Sequence, residues 1–373
     1  MSTDFIYLSE QDMIKAGVLD QKRCISVCED VFELLSKGDY LMGGANHNSH
    51  GMSLVFPKES KFPNMPIAGP DRRFCSMIAY LGGRFDICGN KWYGSNAQNK
   101  NRDLPRSVLT LLLNDKSTGE PLAFMSANLL SAARTGAIPG IGAKYLARKD
   151  SKVITLIGCG PINESCFDAI ITQCPNITQV ILKNRSPQKA VELAKKISEK
   201  YGLQTQVCED LEEAVRSADV ISIAASRTQP LFIKDEWVKP GTVMLVSGPV
   251  QCEDSLWKSL KIVLDHRGLH HSYVDEAISS GDKQAYYSGV IGGPVYTLMD
   301  KGELPQIDDM TDMGDIVTGK KSGRMNEDER IMFIACGMAV FDVAWGHDLW
   351  QTAIQNEIGT KLRLWDTPYQ VGK

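Results

Sequence analysis

The residues with the clearest chemistry are Gly158, Cys159 and Gly160. They fall between a short apolar, β-branched run at 153–157 and a helical pattern that follows from about Asn163. A second β-branched run at 177–182 closes at Asn184-Arg185-Ser186. Strand, glycine turn, helix and second strand in succession form the βαβ unit that holds a dinucleotide. Glycines let the backbone approach a pyrophosphate, and the N–H groups and dipole of the helix N-terminus stabilise its charge. The expected cofactor contacts are Gly158, Cys159, Gly160, Pro161 and Ile162 in the turn and Asn184, Arg185 and Ser186 after the second strand. Thr135, Ala224, Ala225, Ser226, Ser247 and Gly248 complete that set.

Two positions depart from the usual dinucleotide pattern. Asn163 stands where a third small residue normally permits close helix–strand packing, and reads as the N-cap of a slightly displaced helix. No carboxylate follows the second strand to accept from a ribose 2′-hydroxyl; Lys183, Asn184, Arg185 and Ser186 stand there instead. A guanidinium grips a 2′-phosphate in a bidentate way. NADP(H) is therefore expected over NAD(H), the other reading being that Lys183 and Arg185 are solvated loop charges.

Two further cations occupy costly positions. Lys91 sits between strand-like apolar neighbours, and Arg134 lies in the small, apolar stretch SAARTGA. A cation there is expensive unless paired. His47 and His50 are three apart in NHNSHG without a third ligand candidate, so no metal is expected. None of the ten cysteines forms a CxxC pair, and Cys159 reads as a small packing residue of the turn.

The elements that must position these groups follow from pattern and length. At 373 residues the chain is long enough for two domains. With 41 basic against 45 acidic residues it carries no charge field for nucleic acid or a membrane surface. It has no apolar run of membrane-spanning length and no signal-peptide core at its N-terminus, so a cytoplasmic protein is expected. Residues 1–40 look helical, and 41–75 form a long Gly-, Asn- and Pro-rich stretch of loop character. Strands are expected at 73–94, 107–114 and 122–125, and a long helix at 127–149. Beyond the βαβ unit, helices at 188–201 and 211–216 alternate with strands at 205–207, 219–225, 242–247 and 262–265. A Gly- and Lys-rich loop from about Gly314 leads into a helix at 328–355, expected to pack on the N-terminal domain. The pattern predicts an α/β protein. A Rossmann-type doubly wound parallel sheet is assigned to residues 131–319. A second α/β domain for substrate binding and dimerisation is assigned to 1–130 and 320–373.

Several separate motifs carry a resemblance. They are Gly89-Asn90-Lys91-Trp92, Leu112-Leu113-Asn114-Asp115 with Gly119-Glu120-Pro121, Ala133-Arg134-Thr135-Gly136-Ala137, Ala218-Asp219-Val220-Ile221, Gly314-Asp315-Ile316-Val317-Thr318-Gly319 and Gly337-Met338-Ala339-Val340-Phe341-Asp342. With the glycine turn, they make the chain resemble the ornithine cyclodeaminase/μ-crystallin family nearly end to end. Only residues 43–70 and the segment after Asp265 match poorly. The resemblance implies a homodimer that binds a small amino or imino acid. Lys91 and Arg134 would hold the substrate carboxylate, with Arg73 as the third cation and Arg72 and Arg84 as candidates for the same place. Asp342 matches a helix that approaches the nicotinamide in the family. A proton donor would be His50 or Lys91.

One departure from the family separates its activities. Cyclodeaminases carry an Asp just after the strand read here at 242–247, and this chain has Pro249 or Val250, with Glu253 or Asp254 reachable only on a shifted loop. The resemblance therefore runs to the dehydrogenase branch acting on N-(carboxyalkyl) amino acids in siderophore 2,3-diaminopropionate synthesis. The expectation is an NAD(P)-dependent oxidoreductase at a C–N bond. The alternatives are a deaminating lyase with bound NAD and a non-enzymatic binder of NADPH and a small ligand.

Overall fold

The computed structural model describes residues 2–225 and 231–370. The expected contact Ser226 lies outside them. The chain divides into two compact units. The first comprises Met1–Asp20, Lys37–Arg134 and Met338–Lys373, the second Gln21–Ser36 and Thr135–Gly337.

The first unit is built on an eight-stranded sheet. Its order runs Thr360–Trp365, Thr3–Leu8, Pro121–Ser126, Ser107–Asn114, Ile87–Ser95, Arg73–Leu81 and Tyr40–Met42, with Met52–Val55 also pairing with Arg73–Leu81. All pairs are antiparallel except Thr3–Leu8 with Pro121–Ser126. The strands alternate as a half-buried sheet should: Cys75, Met77, Ala79 and Leu81 are buried, while Phe74 and Ile78 are exposed. The buried face packs against the helix Ala339–Gln355, which presents Val340, Phe341, Val343, Trp345 and Leu349 to the core. The approach is close. A Cβ at Gly89 would stand 2.7 Å from Val343, and one at Gly346 only 2.2 Å from Leu111.

The second unit is a Rossmann-type parallel sheet. Its order is Gln204–Val207, Gln179–Lys183, Val153–Ile157, Val220–Ile223, Val243–Val246, Ile331–Ile334, Lys261–Leu264 and Thr311–Asp312. The central strands are buried along their whole length, as parallel strands covered on both faces must be. Strand order reverses between Val153–Ile157 and Val220–Ile223. In open α/β sheets such a switch point is where the ligand crevice forms.

Four expectations change. The chain opens with the strand Thr3–Leu8, not a helix, because that strand is fixed by pairing with the distant Thr360–Trp365. The loop-like stretch at 41–75 carries two short strands. The helix expected at 328–355 is two elements: Ile331–Ile334 is an interior strand, and the helix begins only at Ala339. A fully buried strand has no alternation, so its apolar run merges with that of the helix. Consequently the nucleotide-type unit extends to Gly337 and also takes in Gln21–Ser36, beyond the 131–319 span read from the sequence. Between Asp265 and Met310 lie the helices Arg267–Ser279, Lys283–Ser288 and Gly293–Asp300. No helix among the described residues is long and apolar enough to cross a membrane.

Candidate active site

In the first unit, strand and helix bring three ionisable groups into one buried cluster. Lys91 lies mid-strand on the core face, Asp342 in the first turn of the helix Ala339–Gln355, and Arg134 in the helix Asn128–Leu146. Lys91 Nζ donates to Asp342 Oδ2 at 2.8 Å, and Arg134 Nε to Asp342 Oδ1 at 3.0 Å. Lys91 is 3%, Arg134 5% and Asp342 0% exposed. One carboxylate thus faces two buried cations, so the cluster keeps one positive charge in excess. An anionic ligand group is its natural complement.

The electrostatics separate the roles open to these groups. Burial, with Arg134 acting in the same direction and Asp342 opposing, lowers Lys91 to about 8. Burial would raise Asp342, but Arg134 and Lys91 outweigh it and hold the carboxyl below its usual range. Its place at a helix N-terminus adds to that effect. His50 is half-buried within the 41–75 stretch. Burial, then the charges of Lys91 and Arg134, bring it down to about 4. Its imidazole is therefore neutral near pH 7.

Arg73 opens its strand opposite Ser95, with Cys75 opposite Tyr93 and Met77 opposite Lys91, so Arg73 and Lys91 share a face. Its charge also acts on His50. Its guanidinium pairs with Asp71. Burial works against the Arg73 charge, but Tyr93 and Asp71 outweigh it and raise its pKa. Arg72 instead donates to the Ile67 carbonyl at 3.1 Å and lies over the Phe56 ring. Arg84 pairs with Asp348 at 3.5 Å. Arg73 is thus the one of the three that stands with the cluster.

In the second unit the glycine turn has the form an anion site needs. Gly158 has φ +98, and a Cβ there would lie 2.8 Å from the Ala224 carbonyl. Gly160 caps the helix Pro161–Gln173 without a side-chain hydrogen bond, Pro161 supplies the first turn, and a Cβ on Gly160 would meet nothing within 4 Å. The helix N-terminus is open to a phosphate. The Cys159 N–H donates to Asn184 Oδ1 at 3.2 Å, and Asn184 Nδ2 donates to the Ser186 carbonyl at 2.9 Å. Burial raises the Cys159 thiol to about 11, so it stays protonated and packs. Gly248 lies against Ala225, where a Cβ would stand 3.1 Å from the Ala225 nitrogen. Ser247 follows the strand Val243–Val246, Ile162 is exposed, and Thr135 is half-buried. The turn at Gly158–Gly160 and the helix N-terminus behind it fit a dinucleotide's pyrophosphate.

Two readings of this region are corrected. Asn163 is not an N-cap; Gly160 is. Asn163 is fully buried inside the helix, where its Nδ2 donates to the carbonyls of Gly158 (2.7 Å), Ile157 (3.2 Å) and Ser222 (3.3 Å). Ser222 Oγ donates back to its Oδ1 at 2.6 Å. A polar bracket replaces the close packing of a third glycine. Lys183 turns its Nζ onto the Glu209 carbonyl, leaving the exposed Arg185 and Ser186 as the groups at the end of that strand.

Val250 is buried in the short strand Val250–Cys252, and Glu253 Oε2 accepts from the Asp235 N–H at 2.8 Å. The place of the cyclodeaminase acid is apolar, and Glu253 is committed to a backbone group.

Sequence reasoning missed Asp71 and a buried bracket around Asp265. Asp265 accepts from the N–H groups of Cys336 (2.7 Å), Gly337 (3.1 Å) and His266 (3.0 Å). It also bonds His270 Nε2 at 3.0 Å, and His270 Nδ1 bonds the Tyr296 hydroxyl at 2.6 Å. Asp265, His270 and Cys336 lie within reach of a common metal ion. Both carboxylate oxygens and both ring nitrogens are already engaged, so the geometry reads as a tie between strand end and loop. The only signal was the polar run DHRGLHH directly after an apolar strand.

The sequence model of the ornithine cyclodeaminase/mu-crystallin family matches residues 20–357. The chain is 27% identical over 296 residues to the N-((2S)-2-amino-2-carboxyethyl)-L-glutamate dehydrogenase of Staphylococcus aureus, covering 79% of this chain and 82% of that one. It is 31% identical over 260 residues to a Delta(1)-pyrroline-2-carboxylate reductase of Bacillus cereus, covering 68% and 74%. An archaeal alanine dehydrogenase dimer with bound NAD superposes with a TM-score of 0.78 at 25% identity, over 97% of this chain and 100% of that one. The chain belongs to the ornithine cyclodeaminase/mu-crystallin family.

Proposed function

We propose that the protein is a nicotinamide-dependent oxidoreductase that interconverts an α-imino acid, or an N-carboxyalkyl imine, with its amine. The observation that carries this reading is the buried Lys91–Asp342–Arg134 cluster with its excess positive charge. Arg134 and Arg73 hold the substrate carboxylate through charge-assisted hydrogen bonds. A dinucleotide held at the glycine turn would supply the hydride that the imine carbon takes up. Lys91 gives a proton to the nitrogen as the C=N π bond breaks, and the product is the amine. A pKa of about 8 suits that task, because a general acid works best near the operating pH. His50, at about 4, is not protonated at neutral pH and serves as a neutral hydrogen-bonding group. Asp342 orients Lys91 and Arg134.

Gly158 to Ile162 receive the pyrophosphate, and Asn184, Arg185 and Ser186 receive the adenosine ribose. The exposed Arg185, with no carboxylate beside it in the run 183–186, favours a 2′-phosphate and hence NADP(H). The cyclodeaminase reading is disfavoured by Pro249 and Val250 at the acid's place and by the engaged Glu253.

The test is oxidation of NADPH and NADH by the purified protein with Δ1-pyrroline-2-carboxylate and with 2-oxo acids plus amines. Consumption of reduced cofactor equal to product formed, faster with NADPH, is the expected result. Ammonia release from ornithine with catalytic NAD⁺ and no net cofactor change would overturn the reading.

A further inference from the structure

Asp71 lies two residues before Arg73, outside any strand, with φ +53. That left-handed conformation is uncommon for residues other than glycine, and Asp and Asn tolerate it best. Its side chain is 12% exposed and receives donors from two strand ends, Arg73 and Ser95, and from Arg106 just before a third strand. Arg73 Nη1 bonds Oδ1, while Ser95 Oγ (2.6 Å) and Arg106 Nε (2.5 Å) bond Oδ2. The oxygens of Ser95 and Ser107 lie 2.9 Å apart, which carries the link into the next strand. Arg73 is 38% exposed at its side chain. An arginine so placed would sample several rotamers in water, and ordering it at the moment of binding would cost entropy. An ion pair on one Nη restricts those rotamers beforehand, and the guanidinium fork has donors enough for a second carboxylate.

We infer that Asp71 is a positioning residue for substrate binding: it holds Arg73 pre-oriented for the substrate carboxylate without touching the substrate itself. The inference rests on the functional reading above, in which Arg73 takes that carboxylate. It differs from a purely structural clasp of strand ends, which would act on folding and not through Arg73.

Asp71→Asn is the decisive variant: Asn also tolerates positive φ, while the charge and one of the two acceptor oxygens used by Arg73, Ser95 and Arg106 are lost. With NADPH and Δ1-pyrroline-2-carboxylate as the probe, KM for the probe should rise about tenfold, the loss expected for one charge-assisted hydrogen bond. KM for NADPH and kcat should stay within about twofold of the wild type, as for loss of uniform binding. In an Arg73→Ala background the same change should add nothing. A KM unchanged by Asp71→Asn, or an effect that multiplies with Arg73→Ala, would overturn the inference while the function stands. No turnover by the wild type of Δ1-pyrroline-2-carboxylate or of any 2-oxo acid plus amine would instead overturn the functional reading, and the inference with it. If Asp71→Asn does not fold, Ser95→Ala removes one anchor of the same carboxylate. It should raise KM about threefold, again only where Arg73 is present, and an unchanged KM would overturn the inference.

Discussion

At the scale of single residues, the proposed chemistry rests on Lys91 carrying a proton that it can release. In the reductive direction Lys91 must be protonated, so kcat should fall as pH rises through about 8. In the direction of amine oxidation it must accept a proton, so kcat should rise through the same region. Lys91→Arg keeps the charge but holds its proton. Reductive kcat should drop by about 10²-fold, with KM for the dinucleotide unchanged; equal activity would remove Lys91 from the acid's role. Asp342 opposes the fall in the Lys91 pKa. Asp342→Asn should therefore move that pH limb below about 8, and leave two buried cations unpaired at a cost of about 3 kcal/mol in urea unfolding. Lys91 and Arg134 were legible in the sequence because a cation in an apolar run demands a partner. Asp342 was named only for its helix in the family resemblance; that it pairs with both cations was not legible, since a carboxylate on a helix face has many ordinary explanations. Asp71 carried no local signal at all: its place depends on strand register and a backbone conformation that no spacing reveals.

At the scale of elements, what was legible was local. The run 153–157, the glycine turn and the following helix are close in sequence and bear their own turn chemistry, and Val153–Ile157 forms as expected. Ile331–Ile334 and Thr3–Leu8 were not legible, because an interior parallel strand lacks alternation and an N-terminal strand is defined by a partner at the far end of the chain. The turn itself gives a test. Gly158→Ala puts a Cβ into the Ala224 carbonyl in a left-handed conformation. It should weaken NADPH binding, read by quenching of protein fluorescence, while KM for the imino acid at saturating cofactor changes little; unchanged NADPH affinity would place the dinucleotide elsewhere. Asn163→Ala strips a donor from three carbonyls and an acceptor from Ser222. Leaving buried polar groups unsatisfied costs about 1–3 kcal/mol, so thermal unfolding should come at lower temperature.

At the scale of the whole molecule, the open question is what covers the outward face of the first unit's sheet. That face carries Tyr7, Trp92, Phe124, Leu362 and Leu364, each more than a third exposed. They are not scattered. Tyr7 stacks on Phe124 at 6.3 Å, Phe74 on Trp92 at 5.7 Å, and Leu112 pairs in register with Phe124. Contiguous apolar surface on a water-exposed sheet marks an interface more often than idle surface. The homodimer that the family resemblance implies supplies the occupant to test, a second copy of this chain. Light scattering should then give twice the 41.1 kDa of one chain. Phe124→Glu places a charge in the middle of that surface, while its in-strand neighbours Ala123 and Met125 keep the core face intact. The variant should run as a folded 41.1 kDa monomer with native circular dichroism. A variant that stays dimeric would show that the copies meet through another surface, and a wild type that runs as a monomer would leave this apolar face to a different partner.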